Sequence, residues 1–244
     1  MLLPLRRHLP SPMSSLRAAP LLALLLAGAA MASPAPDTLE QRIKACTACH
    51  ATDNDKRDAF FPRIAGKPAG YLYNQLLNFR EGRRRYPLMT YMVDHLPDAY
   101  LHEIADYFSN LHPAPPPAQP GTLPAAELER GRLLVTRGDA GRRLPACVAC
   151  HGEKLAGVAP AVPGLLGLPR DYINAQFGAW KTGVRRARAP DCMATIAARL
   201  TDADVAAISG WLATQVARPD ARPANAPAAP PPLVCGSIAA AAAP

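Results

Sequence analysis

Apolar positions recur along most of this chain at helical spacing. Residues 68–81 and 169–182 each begin on a proline, which suits a first helical turn. They set Tyr71, Gln75 and Phe79, or Tyr172, Gln176 and Trp180, on one face at i, i+4 and i+8. Helices are also predicted over Thr38–Cys46, Ala125–Thr136, 97–110 and 201–216. Glu127 and Glu129 complement one helix start behind Pro124, and Thr201 or Asp202 caps another. No stretch alternates apolar and polar residues as a half-buried strand would, so the expected fold class is all-α.

The helical pattern occurs twice. At an offset of 101, Pro62 recurs as Pro163, Gly66 as Gly167, Tyr71 as Tyr172, Gln75 as Gln176 and Gly82 as Gly183. After three extra residues in the second copy the offset becomes 104, and Met89 meets Met193, Leu96 meets Leu200 and Tyr107 meets Trp211. Duplication of one unit explains this register. It predicts a first domain over 33–112, a proline-rich semi-rigid linker over 113–123, a second domain over 124–218 and a flexible Pro/Ala-rich tail over 219–244. Each unit is small for an independent fold, and a covalently held cofactor would supply the missing apolar core.

The repeat carries the chemistry. Cys46-Thr47-Ala48-Cys49-His50 and Cys147-Val148-Ala149-Cys150-His151 are both the attachment signature of a c-type haem: two thiols for thioether bonds and a histidine for iron. A thioredoxin-like dithiol would follow a strand, and none is predicted before either pair. A zinc site made from the four cysteines would leave both histidines spare. Two covalently bound haem c groups are therefore expected. Cys192 and Cys235 remain, and two unpaired thiols are the favoured expectation, with a disulfide between them as the alternative.

These pentads, the Tyr-x-x-x-Gln helix after each and the methionine before each last helix resemble a class I cytochrome c duplicated in one chain. The greatest similarity is to the cytochrome c4 family of di-haem cytochromes, over about residues 38–216. That resemblance implies tandem lobes that each wrap one haem, with their haem edges close, and the role of a soluble electron carrier, often to a terminal oxidase.

His50 and His151 are the expected proximal ligands, each donating from its second nitrogen to a backbone carbonyl. A methionine thioether on the opposite face would raise the potential and close the iron to outside ligands. Met193 is the sole methionine of the second half. In the first half Met89 is preferred to Met92, because Met92 falls opposite Ile196, and to His95, which falls opposite Arg199. The Tyr/Gln pairs are assigned to a haem propionate, to the surface between lobes, or to plain helix packing. Arg83, Arg84, Arg85, Arg185, Arg186 and Arg188 precede the methionines as basic loops, with propionate pairing, steering of an acidic partner and simple solvation all open.

Residues 1–32 read as a secretion signal: Arg6, Arg7 and Arg17 lead, Leu21–Ala30 is apolar, and Ala30-Met31-Ala32 offers a cleavage site. The destination is then the periplasm. The formal charge of +8 falls by three on cleavage, and no arginine stripe or aromatic platform suggests nucleic acid. The second half keeps an excess of bases, so an acidic partner is expected to dock there. The function expected is single-electron transfer between donor and acceptor proteins rather than enzyme catalysis. The alternatives are a tightly bound subunit of a dehydrogenase or membrane oxidase, which leaves peripheral membrane association open, and a peroxidase-like di-haem enzyme. The last would need an open iron with acid/base groups beside it.

Overall fold

The computed structural model describes residues 37–50 and 60–242, and the secretion signal expected over 1–32 lies outside them. The first half carries α1 (Leu39–Thr47), α2 (Ala69–Arg80), α3 (Pro87–Val93) and α4 (Asp98–Asn110). The second half carries α5 (Ala125–Thr136), a 3-10 turn at Ala140–Arg142, α6 (Val148–His151), α7 (Arg170–Lys181), α8 (Cys192–Arg199) and α9 (Asp202–Thr214), and the tail carries α10 (Gly236–Ala242). The strands found among the described residues, β1 (Gly157–Val158) and β2 (Val162–Pro163), form a two-residue antiparallel hairpin, so the all-α class holds. Among the described residues no helix is long and apolar enough to cross a membrane.

The long helices lie where the periodicity places them. Pro68 and Pro169 stand just outside α2 and α7 as N-caps rather than inside them. Thr201 caps α9 in a reciprocal box, its hydroxyl accepting from Asp204 N and the Asp204 carboxylate accepting from Thr201 N. The short helices α3 and α8 are additional. Pro87 opens α3, and Asp191 caps α8 by accepting from Ala194 N at 3.0 Å.

In each half the last helix crosses the others. α4 packs on α2, burying Leu101 and Ile104 near Leu77 and Phe79, while α9 lies across α5 and α7 and buries Ile208 and Leu212 against Leu134 and Phe177. A Cβ on Gly131 would strike the Ala207 carbonyl and come within 3.0 Å of the Trp211 Cβ, so this glycine lets α5 and α9 touch backbone to backbone. Trp211 is thus a helix-crossing residue. Beside the crossing, the fully buried Asp204 carboxylate accepts from Arg130 at 2.5 Å and from Arg142 at 2.7 Å. Burial alone would raise its pKa, but Arg142, Arg130 and the Thr201 cap together hold it well below the ordinary aspartate range.

Residues 42 onward form one compact unit, and the two halves meet through the loops after α2 and α7. Arg84 and Arg185, equivalent in the repeat, pair as an antiparallel bridge, flanked by Arg85 N to Val184 O at 2.9 Å and Arg186 N to Arg83 O at 2.7 Å. A local two-fold relation between the copies passes through this seam.

Two expectations about the tail need correction. Cys192 and Cys235 form a disulfide with Cα atoms 5.2 Å apart, so they are not unpaired thiols. The tail is also fixed in place. Ala159 N donates to Ala224 O at 2.7 Å and Ala224 N to Gly157 O at 2.9 Å, so the chain runs beside β1 before turning toward α8. There Gly236 N donates to Pro190 O at 3.0 Å. A Cβ on Gly236 would collide with the Ala189 carbonyl, so glycine is what lets the tail approach this closely. Composition predicts flexibility because the tail is mostly proline and alanine with few large apolar side chains, but these anchors are backbone groups, one glycine and one cysteine.

Candidate haem sites

α6 is a single turn, and it brings the second pentad together: His151 N donates to Cys147 O at 2.8 Å, so the backbone of the pentad closes on itself. The ring is buried and its Nδ1 donates to the carbonyl of Pro163, on β2, at 2.7 Å. Burial is the main cause that lowers the His151 pKa, partly opposed by the Pro163 contact. The imidazole is therefore neutral, with its Nε2 lone pair available for a metal.

The first pentad repeats this arrangement at the end of α1. His50 N donates to Cys46 O at 2.8 Å, and Nδ1 donates to Pro62 O at 3.0 Å. Pro62 and Pro163 are partners in the repeat, so the same proline carbonyl orients both histidines. Burial likewise lowers the His50 pKa. Burial also pushes the Cys147 thiol up to about 12 and raises Cys46 and Cys150. Among the described residues no group of three or more His, Cys, Asp or Glu side chains is arranged to hold a metal ion.

Cys147, Cys150 and His151 share one wall of a predominantly apolar cavity with Leu144, Ile173 and Phe177, and Met193 stands on that cavity's lining as well. The structure thus gathers every second-half residue predicted for the site. In the first half Met89 and Met92, both half-buried, pack together against Leu77, Phe79, Val93 and Leu101, so packing alone does not separate the two sulfurs. His95 is 94% exposed and stays outside the core, as expected. His102 stacks on Tyr73 with ring centroids 3.6 Å apart, rather than standing alone in solvent.

The Tyr/Gln pairs resolve to the surface between lobes. Arg84 donates to its own Gln75 at 2.9 Å and, across the seam, to Gln176 at 2.7 Å and Tyr172 at 3.2 Å. Arg185 mirrors it, donating to its own Gln176 at 2.7 Å and across to Gln75 at 3.2 Å and Tyr71 at 3.5 Å. Each guanidinium also lies over the aromatic of its own half, Arg84 over Phe79 at 4.7 Å and Arg185 over Trp180 at 3.9 Å. Of the basic loops, Arg85, Arg186 and Arg188 are exposed, and Arg83 is bound by Asn78 and Glu81.

Sequence reasoning missed Lys67, whose ammonium donates to Gly164 O across the seam at 3.1 Å and is pushed down to about 8, chiefly by burial. Its repeat counterpart is Leu168, and that mismatch of a cation with an apolar residue was the available signal. Lys67, Arg84 and Arg185 thus meet at the seam with neutral acceptors only: Gln75, Gln176, two tyrosines and a carbonyl. On the same cavity wall the buried Trp180 indole N–H has no partner. Cations without a carboxylate and an orphan donor beside an apolar cavity fit an apolar macrocycle with acidic side arms, as haem has.

Comparison with known proteins gives the same chemistry. The family model for cytochrome c matches residues 129–215. A thiosulfate dehydrogenase electron acceptor of Thiomonas intermedia is 40% identical over 71% of this chain and 80% of its own length. Cytochrome c4 of Pseudomonas aeruginosa is 31% identical over 82% of this chain and 98% of its own. Among solved structures, a thiosulfate dehydrogenase of Marichromatium purpuratum superposes with a TM-score of 0.63 at 33% identity over 70% of this chain, which spans 36% of the length of that dehydrogenase chain.

Proposed function

This chain belongs to the di-haem class I cytochromes c, most like cytochrome c4, and from that premise we propose a periplasmic carrier of single electrons whose two haems are ligated by His50 with Met89 and by His151 with Met193. The observation that carries this reading is the paired one: in both pentads a proline carbonyl accepts a hydrogen bond from Nδ1–H and leaves Nε2 free. Bound haem supplies a one-electron iron couple. Cys46, Cys49, Cys147 and Cys150 hold it covalently. The neutral thioethers of Met89 and Met193 would favour reduced iron and have no proton to exchange. Arg84, Arg185 and Lys67 supply the positive charge that the propionates need at the seam, and the Trp180 N–H supplies a donor.

The donor we infer is a dehydrogenase that oxidises thiosulfate. Two relatives, 40% and 38% identical, are thiosulfate dehydrogenase electron acceptors. The likeness of this chain to about a third of a dehydrogenase chain supports close association with such an enzyme over free diffusion alone. The test uses exported protein. Its intact mass is expected to equal the chain without residues 1–32 plus two haems, and catalytic amounts of thiosulfate dehydrogenase with thiosulfate are expected to reduce both. A single haem would overturn the duplicated site, and two haems that stay oxidised would overturn the donor.

A further inference from the structure

We propose that the Cys192–Cys235 disulfide and residues 233–238 act as a strap that positions Met193, seals the second haem cavity and raises the potential of that haem above the value it would have with the tail released. The proposal rests on the ligation reading above. Cys192 immediately precedes Met193, so a crosslink there fixes the backbone that presents the sulfur. Leu233, Cys235, Ser237 and Ile238 line the same cavity as His151 and Met193, which makes the tail part of the cavity wall.

The far side of the strap is anchored on the first half. α10 packs on α2, and the buried Asn74 donates from Nδ2 to Ser237 O at 2.8 Å. The repeat counterpart of Asn74 is Ala175, which has no amide to offer, so this anchor belongs to one half only. The counterpart of Cys192 is Leu88, which is 48% exposed. The methionine helix of the first half therefore has an open flank where that of the second is crosslinked and covered.

Two physical effects follow. Closing a loop across a sequence separation of 43 removes conformational freedom from the segment that must hold Met193 on iron. Excluding water lowers the local dielectric, which disfavours the more highly charged oxidised centre and raises the potential. Met193 supplies the ligand, and Cys192, Cys235 and Ile238 are positioning residues.

The test is Cys235→Ser in the full-length di-haem protein, with Cys192→Ser/Cys235→Ser beside it so that a reactive free thiol is not the cause of any change. Limited proteolysis is expected to cut the tail in both variants and spare the wild type. One haem of the two is expected to lose about tenfold in electron affinity, a fall of about 59 mV for a one-electron couple. The same haem is expected to become open to carbon monoxide, while the other keeps its potential. In a Met193→Ala background the Cys235 substitution should lower the potential by less than it does with Met193 present, because only the loss of water exclusion is left to act. Unchanged potentials with a released tail would overturn the strap, as would equal shifts in both haems. If Met193→Ala alone retains both sulfur-to-iron absorptions, the ligand assignment fails. If it loses one while Cys235→Ser behaves as wild type, the strap fails and the ligand stands.

Discussion

The two halves agree around the arginine pair where they face each other, Lys67 opposite Leu168 being the exception, and differ where they face away. At the seam every contact of Arg84 has its counterpart on Arg185, down to the aromatic beneath each guanidinium. Away from it, the second half adds a buried carboxylate, a capping box and a crosslinked tail, while the last helix of the first half starts on Pro97 with no side-chain cap; the exposed Arg80–Asp98 pair at 2.5 Å recurs as Lys181–Asp202 at 2.6 Å. Duplication explains the sameness: one loop that bonds to a copy of itself needs no second invention. With the ligands proposed above, two like redox units would be distinguished by their surroundings rather than by their ligands.

The largest predicted effect lies in the second half. Asp204→Ala leaves Arg130 and Arg142 without their shared buried partner and is expected to cost about 3–5 kcal/mol, measured by denaturant unfolding. Asp98→Ala, on exposed ground in the first half, is expected to have no comparable effect. The two substitutions have opposite standing in the comparison, and equal losses would erase it.

The same carboxylate sets a pH dependence. Its folded pKa lies below the ordinary aspartate value of 3.8, so the unfolded chain takes up the proton first as pH falls. The stabilisation is fully present above that value and disappears as pH drops through the folded pKa. Asp204→Asn should therefore flatten the acid limb of stability below pH about 4. A variant with an unchanged acid limb would exclude Asp204 as its source.

A smaller effect probes the seam. Arg84→Gln and Arg185→Gln should cost similar amounts, and a double-mutant cycle should return a coupling energy of about 0.5–3 kcal/mol, because the two side chains share Gln75 and Gln176. Additive losses would mean that the mirrored bonds act independently.

Most of the long helices and both haem pentads were legible in the sequence, since periodicity, capping residues and the repeat all pointed to one reading. The helices α3 and α8 were not, because seven or eight residues complete only about two turns and leave too little periodicity to see. The repeat placed the Tyr/Gln pairs and Arg84 with Arg185 in register, yet only three-dimensional closure shows that each arginine serves the other half. The disulfide was illegible for a related reason. Its formation depends on where a proline-rich tail returns, and that is set by backbone bonds at Ala224 and Gly236 rather than by any side-chain pattern. Lys67 could have been noticed as a charged residue opposite Leu168, but nothing in the sequence shows the carbonyl that receives it.

The account's central claim is that the two irons carry matched histidine and methionine ligands drawn from equivalent places in the repeat. It is most exposed in the first half, where Met89 and Met92 share one core. The direct measurement is the sulfur-to-iron charge-transfer absorption of the oxidised di-haem protein, per haem, in the wild type and in Met89→Ala, Met92→Ala and Met193→Ala. The wild type should show the band at both haems, Met89→Ala and Met193→Ala should each lose half of it, and Met92→Ala should keep it whole. Loss of half the band in Met92→Ala with Met89→Ala intact would contradict the account and give the two halves unequal ligand positions.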